Sequence, residues 1–287
     1  DLEKVRAGKL SPVFFGSALN NFGVEFFLEH FLKMTTPPLP RTAGDEVVDP
    51  FAPSFSAFVF KIQANMNKAH RDRIAFMRIV SGKFERDGEY YHVQAGKEIK
   101  LSQPQQMMAQ ERAGITEAYA GDIIGVFDPG IFSIGDTVCA KDHKVKFEGI
   151  PTFAPECFAM VEQTDSMKRK QFAKGMNQIA QEGAIQIFTE PGGGLERVYV
   201  GVVGELQFDV LESRMKSEYG VTYRQYPQPY QYIRRISNGA DPAKLHLFDV
   251  EWVQDFRGNN FLLFKTEWQI SHTLEDNAGL ELVEFGH

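Results

Sequence analysis

Phe58-Val59-Phe60-Lys61-Ile62-Gln63 alternates with a period of two, and Ile74-Ala75-Phe76-Met77-Arg78-Ile79-Val80 follows with the same habit. Successive side chains of a strand point to opposite faces, so the first run is expected to set Phe58, Phe60 and Ile62 against Val59, Lys61 and Gln63. Turn signals recur at short intervals in Ser81-Gly82, Asp87-Gly88, Ala120-Gly121, Asp128-Pro129-Gly130 and Gly135-Asp136, with strand-like runs between them. Many short strands in about a hundred residues predict a closed antiparallel β-barrel of Greek-key type over 55–150.

Upstream, Thr35 to Pro53 carries Pro37, Pro38, Pro40, Pro50 and Pro53. Proline lacks an amide donor and fixes φ, so this stretch reads as a linker, placed at 41–54. Before it, Val13-Phe14-Phe15 is a fully apolar run followed by small residues and predicts a buried strand of parallel type. Val24, Phe27, Leu28 and Phe31 then recur at helical spacing behind Asn20 or Asn21 as a cap. Strand, loop and amphipathic helix make half of a βαβ unit, whose sheet partners are expected upstream of Asp1. The first residue is not Met, and something is expected to precede it.

Downstream of Pro151 the period switches. Phe172, Met176 and Ile179 predict a helix behind an Asp165 cap, and Phe208, Leu211 and Met215 predict a second over Glu205–Tyr219, with a Glu212–Lys216 pair and a stop at Gly220. Strands are expected at Ala184–Thr189, Arg197–Val202, Val221–Tyr226 and Tyr230–Arg234. Together they predict an α+β domain over 151–287, with helices on one face of an antiparallel sheet. The tail from Asp241 is less regular, with strand-like Phe261–Phe264 and Leu280–Phe285 around a helical stretch at Glu267–Asp276.

Composition bounds the function. A chain of 287 residues, 43% hydrophobic and 13% aromatic, has material for more than one core. The net charge of −7 argues against coating nucleic acid through bulk charge, leaving local basic patches as the available route. The longest apolar runs fall far short of the ~20 residues of a membrane helix, and the first residues lack the basic and apolar blocks expected of a signal peptide. The reading is therefore a cytoplasmic protein without membrane contact. Cys139 and Cys157 lack CxxC spacing and read as buried free thiols.

A phosphate-cradling loop needs Gly-x-x-x-x-Gly-Lys-Ser/Thr, but Gly8-Lys9, Gly82-Lys83 and Gly96-Lys97 continue with Leu10, Phe84 and Glu98. Asp122-Ile123-Ile124-Gly125 and Asp255-Phe256-Arg257-Gly258 both fit Asp-x-x-Gly, a string too short to carry information. Asn67-Lys68-Ala69-His70 starts like a guanine-reading motif and ends wrongly. Gly192 to Gly194 joins two strands and reads as a hairpin loop. The histidines show no metal or triad spacing. No catalytic residue, metal site or cofactor is assigned to the chain.

Two basic clusters stand out in this acidic sequence, Lys68, His70 and Arg71 with Arg73, and Lys168, Arg169 and Lys170 with Lys174. Lys170 and Lys174 lie opposite Phe172 on a helical wheel and are expected to face outward. Such a cluster is either a solvated helix face or a contact for a phosphate backbone.

The wording of several segments resembles the later part of the translational GTPases, most closely the peptide-chain release factor 3 family. These segments are Pro12 to Gly23, Phe60 to Met66, His70 to Arg78 with Ser81-Gly82, and Ala120 to Gly125. Gly149-Ile150-Pro151, Phe153 to Glu156, Gln181 to Ala184, and Gly201 with Gly204 to Val210 continue the resemblance, which spans about 9 to 235.

The resemblance implies that 1–40 is the C-terminal end of an α/β GTPase domain, with Ser17, Ala18 and Leu19 in the last guanine-contacting loop. Leu19 departs from the Lys common at its place. By the same resemblance 55–150 is the translation-factor barrel and 151–287 the third domain. GTP or GDP with Mg2+ is expected on the full-length protein, not on this stretch. The implied function is promotion of class I release-factor departure from the ribosome. The implied partners are small-subunit rRNA and protein together with that class I factor, engaged by a monomer through Lys68, His70, Arg71, Lys168, Arg169, Lys170 and Lys174. The alternatives are the matching domains of an elongation factor or ribosome-protection protein, or a non-ribosomal barrel-containing binding module.

Overall fold

The computed structural model describes residues 1–64, 73–108 and 111–286, apart from the side chains at 106–108 and 111–112. An antiparallel eight-stranded sheet occupies the middle of the chain. Its ladder runs Lys97–Lys100, Glu89–His92, Thr137–Cys139, Ser56–Ala64, Arg73–Ser81, Ile123–Phe127, Gln105–Met108, Glu111–Gly114. The sheet curls around a core of Ala57, Val59, Ile62, Met77, Ile79, Phe84, Ile124, Val126 and Val138. A separate short ladder pairs Lys83–Glu85 with Glu117–Tyr119 and adds Phe84 and Ala118 to the same core. No ladder joins the two edge strands among the described residues, so the barrel is curled and not hydrogen-bonded into a closed ring.

The alternation expected for Phe58 to Gln63 does not survive. Val59 pairs with Met77 and Lys61 with Phe76, which leaves Phe60 as an extra residue in a β-bulge. A bulge moves the strand by one residue and so exchanges its faces. Ala57 and Val59 point into the core before it, and Ile62 after it. Phe58 instead packs outside, against the cluster of Val48, Val80, Cys139, Val145 and Phe147, with the Arg41 guanidinium 3.9 Å from its ring centre. Tight approach fixes Gly82 (φ +68°), where a Cβ would lie 2.6 Å from the backbone of Ser54.

The proline-rich stretch contains a small hairpin, Arg41–Ala43 with Glu46–Val48, which lays Val48 on that outer cluster. Nearer the start, Val13–Phe15 forms no strand, because no described segment pairs with it, and Val13 and Phe15 are largely exposed. The helix Val24–Met34 forms as its spacing predicts, but Gly23 (φ +73°) occupies the cap position. Asn20 Oδ1 accepts from the Phe22 amide and shapes the preceding turn instead. The helix buries no residue, and Phe14 packs on its Phe26, Phe27 and His30 rings.

The last third stacks in layers. A four-stranded antiparallel sheet runs Gln186–Phe188, Arg197–Val202, Cys157–Gln163, Tyr223–Gln228. Helices Arg169–Gln181 and Leu206–Tyr219 cover one face through Phe172, Met176, Ile179, Leu211 and Met215. Asp165 Oδ1 caps the short 3₁₀ turn that leads into the first helix, and Gly220 in the left-handed region ends the second. The predicted Glu212–Lys216 pair gives way to Arg214–Glu218, two positions on.

A second four-stranded sheet covers the other face, where the sequence reading had no cover. It runs Glu251–Gln254, Asn260–Phe264, Tyr232–Ile236, Leu282–Glu284, and helix Glu267–Asp276 closes its outer side through Ile270. The strand Cys157–Gln163 is therefore buried twice, with Ala159 and Val161 toward the helices and Phe158 and Met160 toward the second sheet.

Candidate functional site

The basic segment sits where the turn Ser166–Lys168 enters helix Arg169–Gln181. Phe172, Met176 and Ile179 fix the buried face of that helix, so Lys170 and Lys174 stay exposed. The four cations are not equivalent. Lys168 Nζ donates to the Gly220 carbonyl at 2.6 Å and so ties the helix start to the end of its neighbour. Arg169 forms an ion pair with Glu196. Lys174 lines a cleft with Arg73, Asp128, Pro129 and Gln181, at the seam between the curled sheet and the layered unit. Lys68, His70 and Arg71 lie outside the described residues, so the structure joins only part of the predicted pair of clusters.

That seam is held by a network the sequence reading missed. Arg73 Nε donates to Asp128 Oδ2 at 2.6 Å and Nη2 to the Phe132 carbonyl at 2.9 Å, while Nη1 reaches Gln181 in the helix. Asp128, fully buried, accepts from the amides of Gly130 and Ile131 through its other oxygen, so its charge has both a cation and backbone donors. Beside it, Glu182 Oε1 accepts from the Ala64 amide at 3.2 Å and Oε2 from Arg214 Nη1 at 2.7 Å. Arg214 also grips Glu218 through two nitrogens; this bonding to Glu218, and then that to Glu182, holds its pKa above the ordinary arginine range despite partial burial. The bulged Phe60 lines a neighbouring cleft with Ile134, Ile150 and Gly183. A charged chain of contacts thus connects two separately cored units. No short motif signals it, because its partners are up to 118 positions apart in sequence.

Ser17, Ala18 and Leu19 form a tight loop in which the Ser17 amide donates to the Phe22 carbonyl at 2.9 Å. Ser17 is half-buried, Ala18 is exposed and Leu19 is entirely exposed, which leaves the loop to offer backbone, not side chains, to a ligand. It precedes the basic helix Arg169–Gln181 by about 150 positions in sequence. Ile123-Ile124-Gly125 opens a barrel strand directly after Asp122, and Asp255-Phe256-Arg257-Gly258 belongs to a hairpin turn. Cys139 is buried with its thiol pKa pushed up by desolvation, while Cys157 is only half-buried, against expectation. No helix among the described residues is long and apolar enough to cross a membrane.

A family model described as class II release factor RF3, C-terminal domain, matches residues 147–274, and one described as elongation factor G domain 2 matches 54–141. The peptide chain release factor 3 of Symbiobacterium thermophilum is 55% identical over 281 residues, which cover 98% of this chain and 53% of the relative. The chain belongs to the peptide chain release factor 3 family. Members from Gloeothece citriformis (46% over 284 residues, 98% of the chain and 52% of the relative) and Gloeobacter violaceus (44% over 287 residues, 99% and 54%) agree. The chain spans about half the length of the curated relatives it matches. The elongation factor G match falls on the curled, barrel-type antiparallel sheet and the release factor 3 match on the layered α+β unit.

Proposed function

We propose that this chain is the ribosome-docking and coupling part of a GTP-dependent termination factor that promotes departure of a class I release factor from the ribosome. In this reading 1–40 closes a GTPase domain, 41–54 links it to the barrel at 55–150, and 151–287 is the release factor 3 type C-terminal domain. The full-length protein would work in the cytoplasm as a monomer, with GTP or GDP and Mg2+. Ser17, Ala18 and Leu19 would meet the guanine through backbone amides, and the phosphates and Mg2+ are assigned to no residue here.

The observation that carries the reading is the Arg73–Gln181 and Ala64–Glu182–Arg214 seam, which supports treating barrel and layered unit as one lever. A rigid connection of this kind can transmit a change at one end as displacement at the other. The exposed Lys170 and Lys174, with Lys168, Arg169 and the cluster Lys68, His70 and Arg71, are assigned to small-subunit rRNA and protein. Phosphate contacts of this type release counterions and weaken with salt.

Salt-dependent co-sedimentation with ribosomes tests the assignment. Reversing Lys170 and Lys174 to Glu should lower the bound fraction and flatten its salt dependence, with a larger loss when Lys68 and Arg71 are reversed as well. Unchanged binding after reversal of both clusters would remove these residues from the interface.

A further inference from the structure

The hairpin turn Asp255–Asn259 joins strands Glu251–Gln254 and Asn260–Phe264 at the rim of a cleft of about 450 Å3. Its shape is fixed locally. Asp255 Oδ1 accepts from the amides of Arg257 at 2.8 Å and Asn259 at 2.9 Å, Oδ2 accepts from Asn259 Nδ2 at 2.8 Å, and Gly258 takes φ +79°. The Asp-x-x-Gly string is thus a turn in which the carboxylate is occupied by three N–H donors.

The turn holds two side chains outward. Phe256 is 72% exposed, and the Arg257 guanidinium lies 5.2 Å from its ring centre. Arg235 on the adjacent strand lines the same cleft, and the charged groups of that lining are Arg235, Arg257 and the already occupied Asp255. In a chain of net charge −7, two arginines against one carboxylate give this lining a local excess of positive charge around an exposed ring.

We propose that this turn takes an unpaired nucleotide of RNA, with the base stacked on Phe256 and the phosphate held by Arg257 in the field of Arg235. Single-stranded RNA offers both a π-face and an adjacent phosphate, and proteins take it by aromatic stacking with arginine alongside. A duplex keeps its base faces stacked, and an acidic peptide supplies charge without a plane. Presenting the ring on a fixed turn lowers the ordering cost of binding. The inference deepens the ribosome-docking reading by naming a second contact and its chemistry, and it rests on that reading only for RNA as the partner.

The test uses the whole chain and fluorescence anisotropy with a labelled single-stranded ribo-oligonucleotide of about twelve nucleotides. A hairpin duplex of the same composition and unlabelled AMP and GMP serve as comparisons. Phe256→Leu should weaken single-strand binding about ten-fold, the scale of one lost stack, and leave the weaker duplex binding unchanged. Arg257→Gln should reduce the slope of log affinity against log salt by about 0.7. Both positions are exposed, and circular dichroism of each variant should match the parent.

Unchanged affinity in both variants overturns the proposal, as does an equal loss on the duplex. Displacement of the oligomer by AMP or GMP at comparable concentration would make the cleft a mononucleotide site and also overturn it. Charge reversal of Lys170 and Lys174 in the ribosome assay fails or succeeds independently of this measurement, so the two readings fall separately.

Discussion

Glu182 and Arg214 form an ion pair, 2.7 Å from Oε2 to Nη1, whose carboxylate also reaches out of the layered unit to the Ala64 amide of the curled sheet. Their side chains are 8% and 21% exposed, so water screens the pair less than it would a surface contact. Glu182→Gln keeps an oxygen for one donor and turns an amide N–H toward the other. We expect a loss of about 1–3 kcal/mol in urea unfolding, with faster exchange of the Ala64 amide. Unfolding that is unchanged would mean the carboxylate does not clamp the seam.

Arg73 serves the same seam from the barrel side. Its three contacts diverge toward Asp128, Phe132 and Gln181, a geometry that needs a fork and not a point charge. Arg73→Ala leaves the fully buried Asp128 without its cation and should cost about 3–5 kcal/mol. Arg73→Lys should cost less while still loosening the tie to Gln181. Limited proteolysis between barrel and layered unit, read beside chemical unfolding, separates the two effects.

The sequence reveals elements more readily than the way they meet. Phe172, Met176 and Ile179 announce their helix because one face is apolar at a single period, and the structure buries all three. Phe60 shows the opposite case. A bulge leaves no compositional trace in Phe58 to Gln63, so an alternation that looks continuous places Phe58 and Ile62 on one face when the inserted residue separates them. Cys157 to Val161 is apolar throughout, which signals burial on both sides without saying that a second sheet supplies the cover. Exposure of Lys170 and Lys174 follows from local periodicity, whereas Arg73, Asp128, Glu182 and Arg214 meet only through tertiary folding.

Gly175 lets the two helices of the layered unit touch. A Cβ there would stand 2.6 Å from Met215 Sδ and 3.0 Å from Tyr219 Cγ. Alanine improves helix propensity by about 1 kcal/mol, but overpacking costs about 1–3 kcal/mol. The thioether can move aside, whereas the Tyr219 ring is anchored by its hydroxyl donating to Gln178 at 2.8 Å. Gly175→Ala should therefore be net destabilising in thermal melts, and adding Met215→Val should restore part of the loss. A stabilised single variant would show that the helices separate without penalty.

Tyr230 gives the structure an alkaline limit. Burial first, and then the nearby charge of Glu251 and Asp249, push its phenol up to about 12. The same first cause raises Tyr199 and Tyr223. A phenol ionises near about 10 in an unfolded chain, so between that pH and about 12 the folded state holds more protons than the unfolded one. Stability is accordingly present in full below the unfolded value and lost as pH rises through the folded one. Ultraviolet titration of tyrosinate should show Tyr230 ionising late, and Glu251→Gln should bring that step to lower pH by removing the nearest negative charge. Ionisation of Tyr230 with the exposed tyrosines in the native protein would contradict the packing described for it.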